Sequence, residues 1–247
     1  MVDAAIITVR NSSKRLPDKT IIKITPELRS IDILIKRAQK TELPIIIATS
    51  KDPSDDIFED IAQNHNVKIF RGSLLNKIKR WYDCFNHFNI KNALLVDGDD
   101  LSYNYDIGKR AIYQLKKLKV EMILSPSNII CGFFTYALNI DGISKLYNIA
   151  KFENLDTDVI HKFVKLANLT TSFIKLDENE CNKEIRLTLD YEEDLDFFKK
   201  LYQNVSVTAN GDDIVKFLEN NTIIKEINYH KQKDFLNNQM KFNESIK

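Results

Sequence analysis

The chain has 247 residues, enough to bury a substantial α/β core, and its 36 basic and 35 acidic side chains leave a formal charge of +1. That balance excludes a whole-molecule field aimed at nucleic acid or at a membrane surface, so any anion site must be built locally. Cys84, Cys131 and Cys181 are far apart, the four histidines are scattered, and no window approaches about 18 apolar residues, a pattern that fits a cytoplasmic protein with neither disulfide framework, structural zinc nor membrane insertion.

The run Ala4 to Val9 (AAIITV) reads as a strand buried on both faces, the first of a parallel sheet. The polar loop after it carries Arg10, Lys14, Arg15 and Lys19. Four cations beyond the carboxyl end of such a strand suit a phosphate-rich ligand, although a solvated turn would have the same composition. Ile31, Leu34, Ile35 and Ala38 place an apolar stripe on a helix from Ser30, its candidate cap, to about Lys40. A strand at 45–49, a short helix through Ile57, Phe58, Ile61 and Ala62, and a strand at 67–70 follow, ending in Arg71-Gly72-Ser73. Ile78, Trp81, Tyr82, Phe85 and Phe88 then form one face of an amphipathic helix, read as core packing.

The strand 93–96 runs into Asp97-Gly98-Asp99-Asp100, and a helix through Ile107, Ala111, Leu115 and Leu118 leads to a strand at 121–124. The pattern changes at Ser125. Residues 131–138 (CGFFTYAL) are expected as a strand, with helices at about 141–149 and 156–168, and strands at 171–176 and 185–189. Helices at 192–202 and around 214–218 close the ordered part. The alternation of short apolar runs and helical stripes is that of a layered α/β sheet with covering helices. One domain is expected over 1–230, with 125–180 as a possible subdomain, followed by a polar tail at 231–247 that frays or packs on a partner.

Asp99 and Asp190 stand at the carboxyl ends of expected strands, where parallel strands would bring their oxygens to one edge for a shared divalent cation. Each is also a natural turn or cap residue, Asp190 especially, because a helix follows it.

Longer motifs carry more. IITVRNSSKRLPDK resembles an Arg-x-Gly-Ser-x-Arg-Leu-Pro-x-Lys signature at Arg10, Ser12, Ser13, Arg15, Leu16, Pro17 and Lys19. FRGSLLNKIKRWYDC, Gly98-Asp99 and RLTLDYEEDLDFFKKLY resemble three further segments of the same pattern, with weaker echoes at Ser127-Asn128, His161 and Ile227-Asn228. Together they resemble the acidic-sugar cytidylyltransferases of the CMP-sugar synthetase superfamily, in particular the spore-coat-polysaccharide branch. The resemblance implies a Rossmann-like α/β nucleotidyltransferase fold and transfer of a cytidylyl group from CTP to an acidic sugar with Mg²⁺. It implies Arg10, Ser12, Ser13, Arg15, Lys19, Arg71, Gly72 and Ser73 at the nucleotide, and Arg15, Lys19, Asp99 and Asp190 in catalysis. Asp99 and Asp190 would hold the metal, with Asp97 and Asp100 as weaker candidates. Asn128, His161 and Arg186 would face the sugar, and CGFFTYAL would join a homodimer.

Two departures stand out. Ser12 replaces the family glycine, and Asp100-Leu101 replaces a small residue and proline after Gly-Asp. They keep open a degenerate nucleotide-binding homologue, and the sheet alone would also suit a nucleotide-sugar-dependent glycosyltransferase.

Overall fold

The computed structural model describes residues 1–11, 15–153, 155–157 and 159–237. Strands β1 (Val2–Thr8), β2 (Ile45–Ser50), β3 (Lys68–Gly72) and β4 (Ile90–Asp97) pair in parallel in the order β3-β2-β1-β4. Beyond β4 come β5 (Met122–Leu124), β6 (Tyr136–Asn139) and β7 (Thr171–Phe173) in the order β6-β5-β7. β6 is antiparallel to both β4 and β5, whereas β5 and β7 are parallel.

The helices are α1 (Ser30–Gln39), α2 (Ile57–Asn64), α3 (Lys77–His87), α4 (Tyr105–Leu118), α5 (Ile140–Ile149), α6 (His161–Leu166), α7 (Glu192–Asn204), α8 (Gly211–Asn220) and α9 (Thr222–Tyr229). Successive side chains of a strand point to opposite faces, and the two cores divide along that alternation. Ala5 and Ile7 of β1 pack with α1, α2, α4, α7 and α8, while Ala4 and Ile6 pack with α3, α5 and α6. Burial on both faces is why β1, β2 and β4 read as continuous apolar runs. The expected aromatic stripe of α3 is core: Trp81 and Phe85 are fully buried, and the Trp81 indole N–H donates to Thr8 Oγ1 at 2.8 Å.

Several boundaries differ from the sequence expectation. Of the expected 131–138 strand only 136–138 pair in the sheet, as part of β6, and Gly132 with φ +90° turns the chain before them. Phe133 and Phe134 of the segment expected to join a homodimer are buried in their own chain's core, while Cys131, Gly132, Thr135 and Tyr136 are partly exposed. Residues 185–189 are not a sheet strand. β6 already has a neighbour on each side, so the backbone of this buried extended segment is joined to its surroundings by a Cys131–Arg186 bridge and single hydrogen bonds rather than by a strand ladder. The helix expected at 156–168 shortens to α6, and the final helix is two, α8 and α9. Ser30 does not cap α1. Arg29 stands at the cap with Asp32 closing the box, and the Ser30 hydroxyl donates to the Lys19 carbonyl at 2.6 Å. Among the described residues, no helix is long and apolar enough to cross a membrane.

Candidate active site

The site forms where β1 and β4 end side by side, with Thr8 in register with Asp97. The Gly98 N–H donates to the Thr8 carbonyl at 3.0 Å, and a Cβ at position 98 would lie 2.7 Å from that oxygen. Only glycine lets the two chain ends close so tightly. The loop after β1 is anchored by buried Leu16 and turns at Asp18, whose φ is +56°. Its far side is tied to the first turn of α1 through Ser30 and by Ile31 N–H donating to Thr20 O.

This frame aims Lys19 inward. Its Nζ lies 2.8 Å from Asp99 Oδ2 and 2.9 Å from Asp190 Oδ1, and Arg15 Nη2 reaches the same Asp190 oxygen at 2.6 Å. Burial disfavours the Lys19 ammonium, but Asp99 and then Asp190 outweigh it and hold its pKa above the ordinary lysine value. Asp190 is 1% exposed. Burial pushes its pKa up, yet Lys19 and Arg15 prevail and hold it below the usual carboxylate range. Arg15 is half-exposed, its guanidinium over the Tyr191 ring.

Asp190 reaches this point without a sheet strand beneath it. Leu189 N–H donates to the Asp99 carbonyl at 2.8 Å, which joins the two acidic segments through the main chain. The cap of α7 comes from Asp194, whose Oδ2 accepts from Asp190 N and Tyr191 N at 2.8 and 3.0 Å, leaving the Asp190 side chain free for the cations. Asp194 also grips Arg186, accepting from Nε and Nη2 at 2.9 Å each. Arg186 is buried behind Asp190 at 3.5 Å, with Gln232 and the Phe235 ring covering it, so in this arrangement it supports Asp190. Asp100 is also turned inward. Burial, then Asp99 and Asp97, push its pKa well up, while Thr135 Oγ1 donates to it at 3.2 Å.

The other expected residues divide. Arg10 begins the same loop after β1 and reaches the segment before α3, its Nη1 donating to Leu74 O at 2.8 Å. Ser12 and Ser13 lie outside the described residues. Arg71 turns away from the cluster to clamp the start of α2, paired with Glu59 and Asp56 at 2.6 Å and bonded to the Ser50 and Asp52 carbonyls. Gly72 packs against Phe70 and Arg80, and the Ser73 hydroxyl accepts from Asn76 N–H. Exposed Asn128 donates to Cys181 Sγ at 3.3 Å, and exposed His161 at the start of α6 borders a cavity with Leu124, Val164, Thr171 and Phe173. None of these contacts reaches Lys19, Asp99 or Asp190. No group of three or more His, Cys, Asp or Glu side chains gathers to hold a metal among the described residues.

The sequence model of one family, described as Cytidylyltransferase, matches residues 4–227. The chain belongs to the cytidylyltransferase family. A protein of uncharacterized function from Methanocaldococcus jannaschii is 26% identical over 227 residues, 90% of this chain and 93% of that one. The spore coat polysaccharide biosynthesis protein SpsF of Bacillus subtilis is 26% identical over 216 residues, 80% of this chain and 85% of that one. Among solved structures, a cytidylyltransferase from Leptospira borgpetersenii superposes with a TM-score of 0.83 at 20% identity, covering 92% of this chain and 97% of that one. A CMP:2-keto-3-deoxy-manno-octonic acid synthetase complexed with CTP superposes at 0.59 and 13% identity, covering 82% and 99%. At these identities the two structures carry the α/β nucleotidyltransferase fold.

Three residues that shape this cytidylyltransferase site were not singled out by sequence. Asp194 is the hub beneath Asp190, and its signal was the capping-box spacing at the start of α7. Asp55 binds the first loop by accepting from Asn11 N–H at 2.7 Å, and in DPSD it read only as a turn residue. Lys77 sits beside Asp97, 3.8 Å away. A lysine at the start of a helix gives no sequence signal of its own.

Proposed function

We propose that this chain transfers a cytidylyl group from CTP to a hydroxyl of an acidic sugar, a 2-keto-3-deoxy acid, releasing pyrophosphate with the aid of Mg²⁺. One observation carries the reading: at the carboxyl edge of a cytidylyltransferase-family sheet, the Lys19 ammonium is held between Asp99 and Asp190, with Arg15 on the same carboxylate. Cations for a triphosphate and hard oxygen donors for a divalent cation thus share one site.

The donor set fits the metal. Two carboxylate oxygens already converge within 2.9 Å of a single positive centre, and Asp99 remains partly open to solvent. When bound, Mg²⁺ would supply charge neutralisation at the phosphates. The chain's own side chains do the rest. Arg15 offers a planar fork and Lys19 a mobile point charge to the β- and γ-phosphates, and both offset the charge that develops on the leaving pyrophosphate. The acceptor hydroxyl oxygen forms its bond to the α-phosphorus as the α-phosphorus bond to the bridging oxygen of pyrophosphate breaks, and the hydroxyl proton passes to solvent water. Among the described residues no serine or cysteine stands in a nucleophile arrangement, which supports a direct transfer. Asp194 and Arg186 hold Asp190 in place from behind.

The acidic acceptor rests on the sequence resemblance and on the likeness to SpsF. The test is pyrophosphate release from CTP, ATP, GTP and UTP against a panel of keto-acid and neutral sugars. Release is expected with CTP and a keto acid. Comparable turnover of all four nucleotides, or of neutral sugars, would sink the proposal, and sugar transfer from a nucleotide-sugar without pyrophosphate would mark a glycosyltransferase.

A further inference from the structure

Lys77 sits beside Asp97 at the edge of the site but has no part in the transfer proposed above, and its setting is costly. It is the first residue of α3 and only 8% exposed, with Nζ 3.8 Å from Asp97 Oδ1 and 5.2 Å from the centre of the Trp81 ring. At 3.8 Å no hydrogen bond forms. Among the described residues the ammonium donates none, so its donors are unspent. Burial disfavours the charge, and so does the positive end of the α3 dipole. Packing on Trp81 requires only the methylene stem, which an uncharged residue would supply without either cost.

The position of this charge decides what it suits. Asp97 ends β4 beside Thr8, and Gly98 alone separates it from Asp99. The Lys77–Asp97 pair and the Lys19–Asp99 pair therefore flank one tight loop, the second of them bearing the cations for the triphosphate. Asp97 repels any anion brought to Lys77, a dianionic phosphate more than a monoanionic carboxylate, unless the ligand also carries a donor for Asp97. A group that satisfies both partners is a carboxylate with a hydroxyl on the adjacent carbon. A 2-keto-acid sugar in its ring form presents that pair, because ring closure turns the keto carbon beside the carboxylate into one bearing a hydroxyl.

We propose that Lys77 and Asp97 recognise the acid end of the acceptor, Lys77 binding the carboxylate and Asp97 accepting a hydrogen bond from the adjoining hydroxyl. This rests on the acidic-sugar reading above and assigns that sugar's charged end to two side chains. The hydroxyl oxygen, donating to Asp97, keeps its lone pairs for the nucleotide on the Asp99 side of the loop.

The experiment titrates 2-keto-3-deoxy-manno-octonic acid, its shorter and longer homologues, and their methyl esters into protein saturated with α,β-methylene CTP. Wild type, Lys77→Met and Lys77→Arg are compared. Wild type should bind at least one acid about tenfold or more tightly than its ester, the usual worth of a charge-assisted contact. Lys77→Met should erase that preference and Lys77→Arg should keep most of it, with all three proteins binding the nucleotide analogue equally, which also shows that they are folded. A Lys77→Met protein that still prefers the acid overturns the assignment and leaves the acidic-sugar reading standing. A wild type that prefers no acid overturns both. Parallel loss of analogue and acid binding in Lys77→Met would give Lys77 to the nucleotide and overturn the assignment.

Discussion

An ammonium placed 2.8 Å from Asp99 and 2.9 Å from Asp190 fills the position a divalent cation would take between those carboxylates, while its own charge suits a phosphate chain. On the proposed reading both cannot hold at once, so Lys19 would have to leave the carboxylates for the phosphates when nucleotide and metal bind. Lys19→Met should therefore have opposite effects on two ligands. Affinity for CTP should fall by about 1.5–3 kcal/mol, the cost of a charge-assisted bond, with CMP affinity nearly unchanged. Nucleotide-free Mn²⁺ should bind more tightly, since nothing competes for the two carboxylates. Calorimetric titration and Mn²⁺ electron spin resonance would read the two effects, and equal losses for CTP and CMP would place Lys19 away from the outer phosphates. Sequence showed Lys19, Asp99 and Asp190 because each lies in a motif at the end of an apolar run. It could not show which way an arginine turns. Arg71 and Arg186 share such motifs, yet one clamps α2 and the other is buried behind Asp190.

At the scale of elements, the start of α1 carries a pH signature. Asp32 accepts from Arg29 N–H, from the Arg29 guanidinium and from His65 Nε2, each at 2.8 Å. Burial pushes its pKa up, but the Arg29 and His65 hydrogen bonds prevail and hold it below the ordinary value. A depressed carboxylate contributes stability above its unfolded pKa of about 3.9 and loses it as pH falls through the folded value. Asp32→Ala should thus cost about 1–2 kcal/mol at pH 6, and the gap to wild type should close on acidification below about pH 4. Urea titrations across that range decide it, and a gap that persists in acid would assign the loss to packing. The Gly132 turn is the second such element. A Cβ there would meet the Leu187 carbonyl oxygen at 2.2 Å and φ is +90°, so Gly132→Ala should cost about 1–3 kcal/mol and loosen the segment carrying Asp190. Unchanged stability and turnover would show that the segment is held elsewhere. The strands of the parallel half were legible because burial on both faces leaves long apolar runs. Residues 185–189 misled for the same reason, since every one is buried, and burial by loops and helices reads like burial in a sheet.

Across the whole molecule, the site is closed from behind by the far end of the described chain. Residues 231–237 are helical, Gln232 Oε1 accepts from Arg186 Nη1 at 3.1 Å, and the Arg186 guanidinium lies 4.9 Å from the centre of the Phe235 ring. A polar tail read from composition gives no hint of this, because the signal is one aromatic among charged residues. Phe235→Ala should cost about 1–2 kcal/mol, the scale of a desolvated cation–π contact, and should lower turnover by admitting water behind Asp190. Thermal melts and pyrophosphate assays on that variant check both, and an unaltered protein would make the cover dispensable. The ordering of these contacts along the chain has a consequence during synthesis. Asp190 lies 171 residues beyond Lys19, and the cover over Arg186 comes later still. A nascent chain on the ribosome owns the cationic loop and Asp99 well before it gains Asp190 and the residues that support it. On the proposed reading, a product that stops before Asp190 carries half a site, with Lys19 left to Asp99 alone and Arg15 without its carboxylate.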